Sequence, residues 1–128
     1  MTELTDAVNT AVAAVRAHFA GKPVEVVADG AGGATVIVDH IDLGDRYTPS
    51  TTWLGFHISA AYPHADVYPH YLGRVVWTDG QAHGDAVQQV DWNGRAALQL
   101  SRRSNGWNPA IDNAALKAEK VIRWFTTT

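Results

Sequence analysis

Val24-Glu25-Val26-Val27-Ala28-Asp29-Gly30-Ala31-Gly32-Gly33-Ala34-Thr35-Val36-Ile37-Val38-Asp39-His40-Ile41 holds two β-branched runs, 24–27 and 34–41, on either side of a glycine-rich turn. β-Branched side chains fit a pleated, half-buried surface, and glycine supplies the positive φ that tight turns need. The pattern therefore predicts an antiparallel hairpin. The same glycines could cradle a phosphate, but no Gly-Lys-Ser/Thr ending follows and no helical spacing comes after them. The stretch reads as sheet.

Upstream, Val8, Val12, Val15 and Phe19 line one face of a helix over 5–19, with Thr2 or Thr5 as cap and Gly21 and Pro23 as stop. Downstream, Leu54, Phe56 and Ile58 alternate with Gly55, His57 and Ser59, which predicts a half-buried strand. Alternation puts Trp53 on the opposite face, where a helix or an interface would cover it. The segment Tyr62-Pro63-His64-Ala65-Asp66-Val67-Tyr68-Pro69-His70 carries two prolines and reads as irregular, with His64 and His70 on solvated turns. Arg74–Trp77 predicts another short strand, and 81–95 is polar with Val87, Val90 and Trp92 as inward anchors. Ala96–Leu100 is a last short run before Arg102-Arg103. Ile111, Ala115, Ala118, Ile122 and Phe125 then predict a second amphipathic helix, capped by Asn108 or Asp112 with Pro109 in its first turn. The expected fold is α+β: an N-terminal helix, an antiparallel meander sheet of about four strands, and a C-terminal helix. It forms a single domain over 1–128.

Composition narrows the function. The formal charge of −3 gives no electrostatic case for nucleic acid. No run approaches the roughly 20 apolar residues of a membrane span. The start, Met-Thr-Glu-Leu-Thr-Asp, lacks the features of a secretory signal, so a cytoplasmic protein is expected. The chain has no cysteine, which excludes disulfides, thiolate metal sites and cysteine nucleophiles. His57, His64, Asp66 and His70 cluster in sequence, yet their intervals match no metal-ligand motif, and neither a metal nor another cofactor is expected. Ser59 and Ser101 lack the Gly-x-Ser-x-Gly elbow that would present a nucleophile.

From Leu54 to Phe125 the chain resembles the ubiquitin-conjugating-enzyme superfamily, which includes the RWD domains. The strand Leu54-Gly55-Phe56-His57-Ile58 leads to Ala61-Tyr62-Pro63, like the family's strand and Tyr-Pro turn. Pro69 falls where the family usually places another proline, and Asn105-Gly106-Trp107-Asn108-Pro109-Ala110 resembles its Trp-x-Pro signature. The run Gln99–Asp112 is similar to a small bacterial branch encoded alongside ubiquitin-like and activating proteins. The resemblance implies that Tyr62, Pro63, Trp107 and Pro109 are structural supports. The position of the family's thioester cysteine falls near Gln99, and no cysteine is there. The family's His-Pro-Asn element is replaced by Trp77-Thr78-Asp79-Gly80-Gln81-Ala82-His83-Gly84. A hydroxyl such as that of Ser101 is a poor substitute, because its pKa is far above a thiol's.

The resemblance therefore implies a non-catalytic binding or adaptor subunit of a bacterial ubiquitin-like pathway. Its partner would be a ubiquitin-like protein on the sheet face or an activating-enzyme-like protein on the first helix. Gln99, Ser101, Arg102 and His83 would form the remodelled rim of the former active site. Two alternatives stay open. One is an enzyme on the same fold that uses His57, His64, Asp66 or His83 with Ser101 or Gln99 for acid–base or acyl chemistry. The other is a homo-oligomer built on the five tryptophans.

Overall fold

The computed structural model describes residues 4–67, 69–80, 87–100, 108 and 113–127. Helix α1 (Asp6–His18) begins where expected. The Thr5 backbone is extended, and its Oγ1 accepts the Val8 N–H at 3.1 Å, satisfying one of the donors a helix start leaves open. Val8, Ala11, Val12 and Val15 are buried on one side, and Gly21 at φ +85° lets the chain turn away.

Strands β1 (Val24–Ala28) and β2 (Ala34–Asp42) form the expected hairpin. Asp29 closes it, with its Oδ1 accepting the N–H groups of Ala31 and Gly33. A short β3 (Tyr47–Thr48) precedes β4 (Thr51–Ile58). Between Val38 and Ile41, β2 advances one residue more than β4, with His40 at φ +59° in the bulge. The extra residue returns Ile41 to the buried face.

The sheet is larger than the sequence suggests. β5 (His70–Gly73) follows Pro69 directly, β6 (Val76–Trp77) pairs with β3 in a separate ribbon, and β7 (Val87–Trp92) and β8 (Arg95–Leu100) form a second hairpin. Among the described residues the main sheet therefore has six strands in the order β1-β2-β4-β5-β8-β7, all neighbours antiparallel. It is a meander through β5 only, because β8 inserts beside β5 and β7 takes the edge. The strand expected at Arg74–Trp77 is shifted: His70–Gly73 occupies the sheet, and Val76–Trp77 joins the ribbon.

Helix α2 (Ala114–Thr127) starts later than expected. Asn113 is its cap, its Oδ1 accepting the Leu116 N–H at 2.9 Å. Asn108 is not helical, and Pro109, Ile111 and Asp112 lie outside the described residues. Ala115, Ala118, Ile122 and Phe125 do face inward, joined by Ala114, Lys117 and Val121. The far end of α2 is held by the ribbon: the Tyr47 hydroxyl donates to the Phe125 carbonyl at 2.9 Å, and the Arg46 guanidinium donates to the Thr126 carbonyl. These side chains satisfy two carbonyls that a helix end leaves open.

Both helices share one core with the inner face of the sheet. Val8 and Val15 of α1 and Ala118 and Val121 of α2 belong to the cluster formed by Val36, Val38, Leu54, Phe56, Leu72, Leu98 and Leu100. Each large aliphatic or aromatic side chain so buried contributes about 1.5–3 kcal/mol. No helix among the described residues is long and apolar enough to cross a membrane.

Candidate functional site: the open sheet face and the buried polar cluster

Among the described residues, both helices pack on the inner face of the sheet and none lies on the second. Strand alternation places Glu25, Val27, Thr35, Ile37, Trp53, Gly55, His57, Tyr71, Gly73, Gln99, Val90, Trp92 and Arg95 there. Trp92 stacks on Tyr71 with ring centroids 4.4 Å apart and planes 10° apart, and on Trp53 at 5.9 Å and 16°. The Arg95 guanidinium lies 5.2 Å over the Trp53 ring and reaches Glu25 at 3.6 Å.

Two glycines make this platform possible. The Trp92 and Trp53 rings occupy the space where a Cβ on Gly55 would stand, and Trp53 Nε1 lies 2.9 Å from the corresponding point on Gly73. The turn Asn93-Gly94, at φ +50° and +76°, is the mirror-image type that matches hairpin twist, and it carries Arg95 over toward β1. A cavity of about 300 Å³ opens on this face between Glu25, Val27, Thr35, Ile37, Asn93 and Arg95.

This corrects the expectation for 81–95. Val87 does pack against the core, but Val90 and Trp92 lie on the open face, because a strand cannot turn positions 87 and 90 to the same side. Trp53 lies on the open face as expected.

At the end of this face, His57 Nε2 meets Asp29 Oδ2 at 2.6 Å. Thr35 is directly opposite His57 in the register. The hydrogen bond from His57, with the two backbone N–H groups, holds the Asp29 carboxyl below the usual carboxylate range. The pair joins the hairpin turn to the third strand of the sheet. The sequence marks His57 as a candidate but not Asp29, since the two are brought together by strand register and not by spacing.

A second polar group lies beneath the sheet. Lys117, 3% exposed, donates to both oxygens of Asp66 at 3.0 and 3.2 Å. His70 is fully buried in β5 between Phe56 and Leu100 in the register, and neither ring nitrogen has a hydrogen-bond partner among the described residues. Burial, and next the Lys117 charge, lower its pKa to about 3, against a smaller opposing effect of Asp66. The expectation of a solvated His70 is thus corrected: the residue after Pro69 begins a central strand, and its ring points into the core. His64 does sit exposed on a turn.

Tyr62 is buried and its hydroxyl accepts the Ala114 N–H at 3.1 Å, so the Tyr62-Pro63 segment, whose peptide bond is cis, anchors the start of α2. Gln99 lies within β8, between Tyr71 and Gln88. Ser101, Arg102, His83, Trp107 and Pro109 lie outside the described residues. His57, His64 and Asp66 are not drawn together: His57 pairs with Asp29, and Asp66 with Lys117. Among the described residues, no three His, Asp or Glu side chains gather as a metal site would require. Each described tryptophan packs within its own chain: Trp53 and Trp92 on each other, Trp77 on Tyr47, and Trp124 on the core.

No protein-family model matches the chain, and no curated protein or solved structure is detectably similar to it.

Proposed function

We propose that this chain is a non-catalytic binding or adaptor subunit of a bacterial ubiquitin-like modification pathway, on a scaffold of the ubiquitin-conjugating-enzyme kind. Its open sheet face holds a ubiquitin-like partner. The observation that carries the reading is the Trp53–Trp92–Tyr71 stack with Arg95, on a face that no helix among the described residues covers. Tryptophan, tyrosine and arginine dominate the energetics of protein interfaces, and side chains already locked against one another lose little entropy on binding. The absence of any cysteine removes thioester transfer by this chain. An activating-enzyme-like protein on the exposed side of α1 is the second partner class.

Co-precipitation with the proteins encoded beside this chain tests the reading. A ubiquitin-like or activating-type partner held at micromolar concentration supports it, and Trp92→Ala should weaken that capture by about tenfold or more. Failure to retain any such partner contradicts it.

The His57–Asp29 pair favours a second reading, an enzyme that uses His57 as an acid–base group with Asp29 orienting its ring. Here His57→Gln would abolish turnover without changing partner capture.

A further inference from the structure

Among the described residues, β1 pairs with β2 on one side and with no strand on the other. Its hydrogen bonds reveal what that free edge presents. The Asp39 N–H donates to the Pro23 carbonyl and the Asp29 N–H to the Gly33 carbonyl, so positions 23, 25, 27 and 29 turn their backbone groups toward β2. The N–H and C=O groups of Val24, Val26 and Ala28 therefore point outward. In agreement, the Arg16 guanidinium reaches the Val24 carbonyl from outside at 3.2 Å. No hydrogen bond meets the outward groups of Val26 or Ala28 among the described residues.

Proteins usually blunt such an edge with lysine, proline, a bulge or a covering loop. Val24–Ala28 has no lysine or proline and pairs with β2 without a register shift. Its one charge is Glu25, and Val27 is 55% exposed.

We propose that this edge is the two-fold interface of a homodimer, with Val24–Ala28 of two copies paired antiparallel about Val26. The strand is its own complement. Val24 meets the second copy's Ala28, and Glu25 meets its Val27, so the lone acid opposes an apolar side chain and never itself. The two Val26 residues exchange reciprocal N–H to C=O bonds, and each Val24 N–H reaches the other copy's Ala28 carbonyl. The bonds that would end on the Val24 carbonyls form when Arg16 lets go. A two-fold axis normal to the sheet joins the two six-stranded sheets, keeping both helix layers on one side and both aromatic platforms free on the other. Five residues a side bury less than the roughly 1,200 Å² of a stable complex, so association depends on concentration.

Analytical ultracentrifugation of the full chain from ~10 μM to ~1 mM, a range set by so small an interface, tests this. Val26→Pro removes an outward N–H while leaving the bonds to β2 intact, which edge strands tolerate. Val27→Glu sets an acid opposite the second copy's Glu25, and Val27→Lys sets a cation there; Val27 is exposed, so the fold survives both substitutions even if it does not survive the proline variant. The wild type should dimerise as concentration rises. Val26→Pro and Val27→Glu should each weaken association about tenfold or more, while Val27→Lys preserves or tightens it. A wild type that stays monomeric throughout, a dimer insensitive to Val26→Pro, or equal behaviour of Val27→Glu and Val27→Lys overturns the proposal. So does a monomer whose β1 edge takes up some other extended chain.

Discussion

Trp92 lies across Gly55, its ring atoms standing where a Cβ would have to be, while the same ring stacks on Tyr71 opposite Gly55 in the register. A residue whose usual liability is backbone freedom is here the seat of a tryptophan. Gly55→Ala should force the ring off its platform and destabilise the fold by about 1–3 kcal/mol, as overpacking does. Near-UV circular dichroism should lose the signal of the Trp53–Trp92–Tyr71 stack, while far-UV spectra stay unchanged.

His70 makes stability pH-dependent. Its folded pKa, about 3, lies below the ordinary 6.5, so the unfolded chain takes up the proton first. The contribution is fully present above about pH 6.5 and is lost as pH falls toward about 3. Between pH 7 and pH 5 urea unfolding should record a loss of about 2 kcal/mol. His70→Leu should flatten that slope over the same interval.

Asp66 and Lys117 are unequal partners. Lys117 is nearly sealed, whereas Asp66 keeps some contact with solvent. Asp66→Ala should cost about 3–5 kcal/mol, because it strands a buried ammonium. Lys117→Met should cost clearly less, since the carboxylate left behind is partly hydrated and the apolar chain is retained. Chemical denaturation of both single variants and the double variant would measure the coupling.

Tyr62 and Asn113 both serve the first turn of α2, one through its hydroxyl to the Ala114 N–H and the other through its side-chain oxygen to the Leu116 N–H. Tyr62→Phe and Asn113→Ala should each remove about 1 kcal/mol. Amide exchange should quicken at the start of α2 and remain slow at Phe125, whose carbonyl is held by Tyr47.

What the sequence discloses here is what is local. α1, the β1–β2 hairpin and β4 are legible because their apolar residues repeat within a few positions. β5 is hidden by Pro69, which excludes a strand through itself but not one beginning at the next residue. The burial of His70 depends on Phe56 and Leu100, which other strands bring to it. The β7–β8 hairpin carries a legible signal that the reading of 81–95 misses: Asn93-Gly94 marks a tight turn, and alternation back from it puts Trp92 on the same face as Arg95. The link between Asp29 and His57 has no such trace, since it exists only once β2 and β4 take their register.

Binding of a ubiquitin-like protein to the open face, without covalent capture, is the central proposal. Titrating that protein into ¹⁵N-labelled chain, and following the Trp53 and Trp92 indole signals, measures this directly. Saturable shifts of both indoles, with the mass of the chain unchanged afterwards, are the predicted result. Indole signals that stay still at ~1 mM partner, a concentration at which even weak interfaces fill, or an acyl adduct on the chain itself, would contradict it.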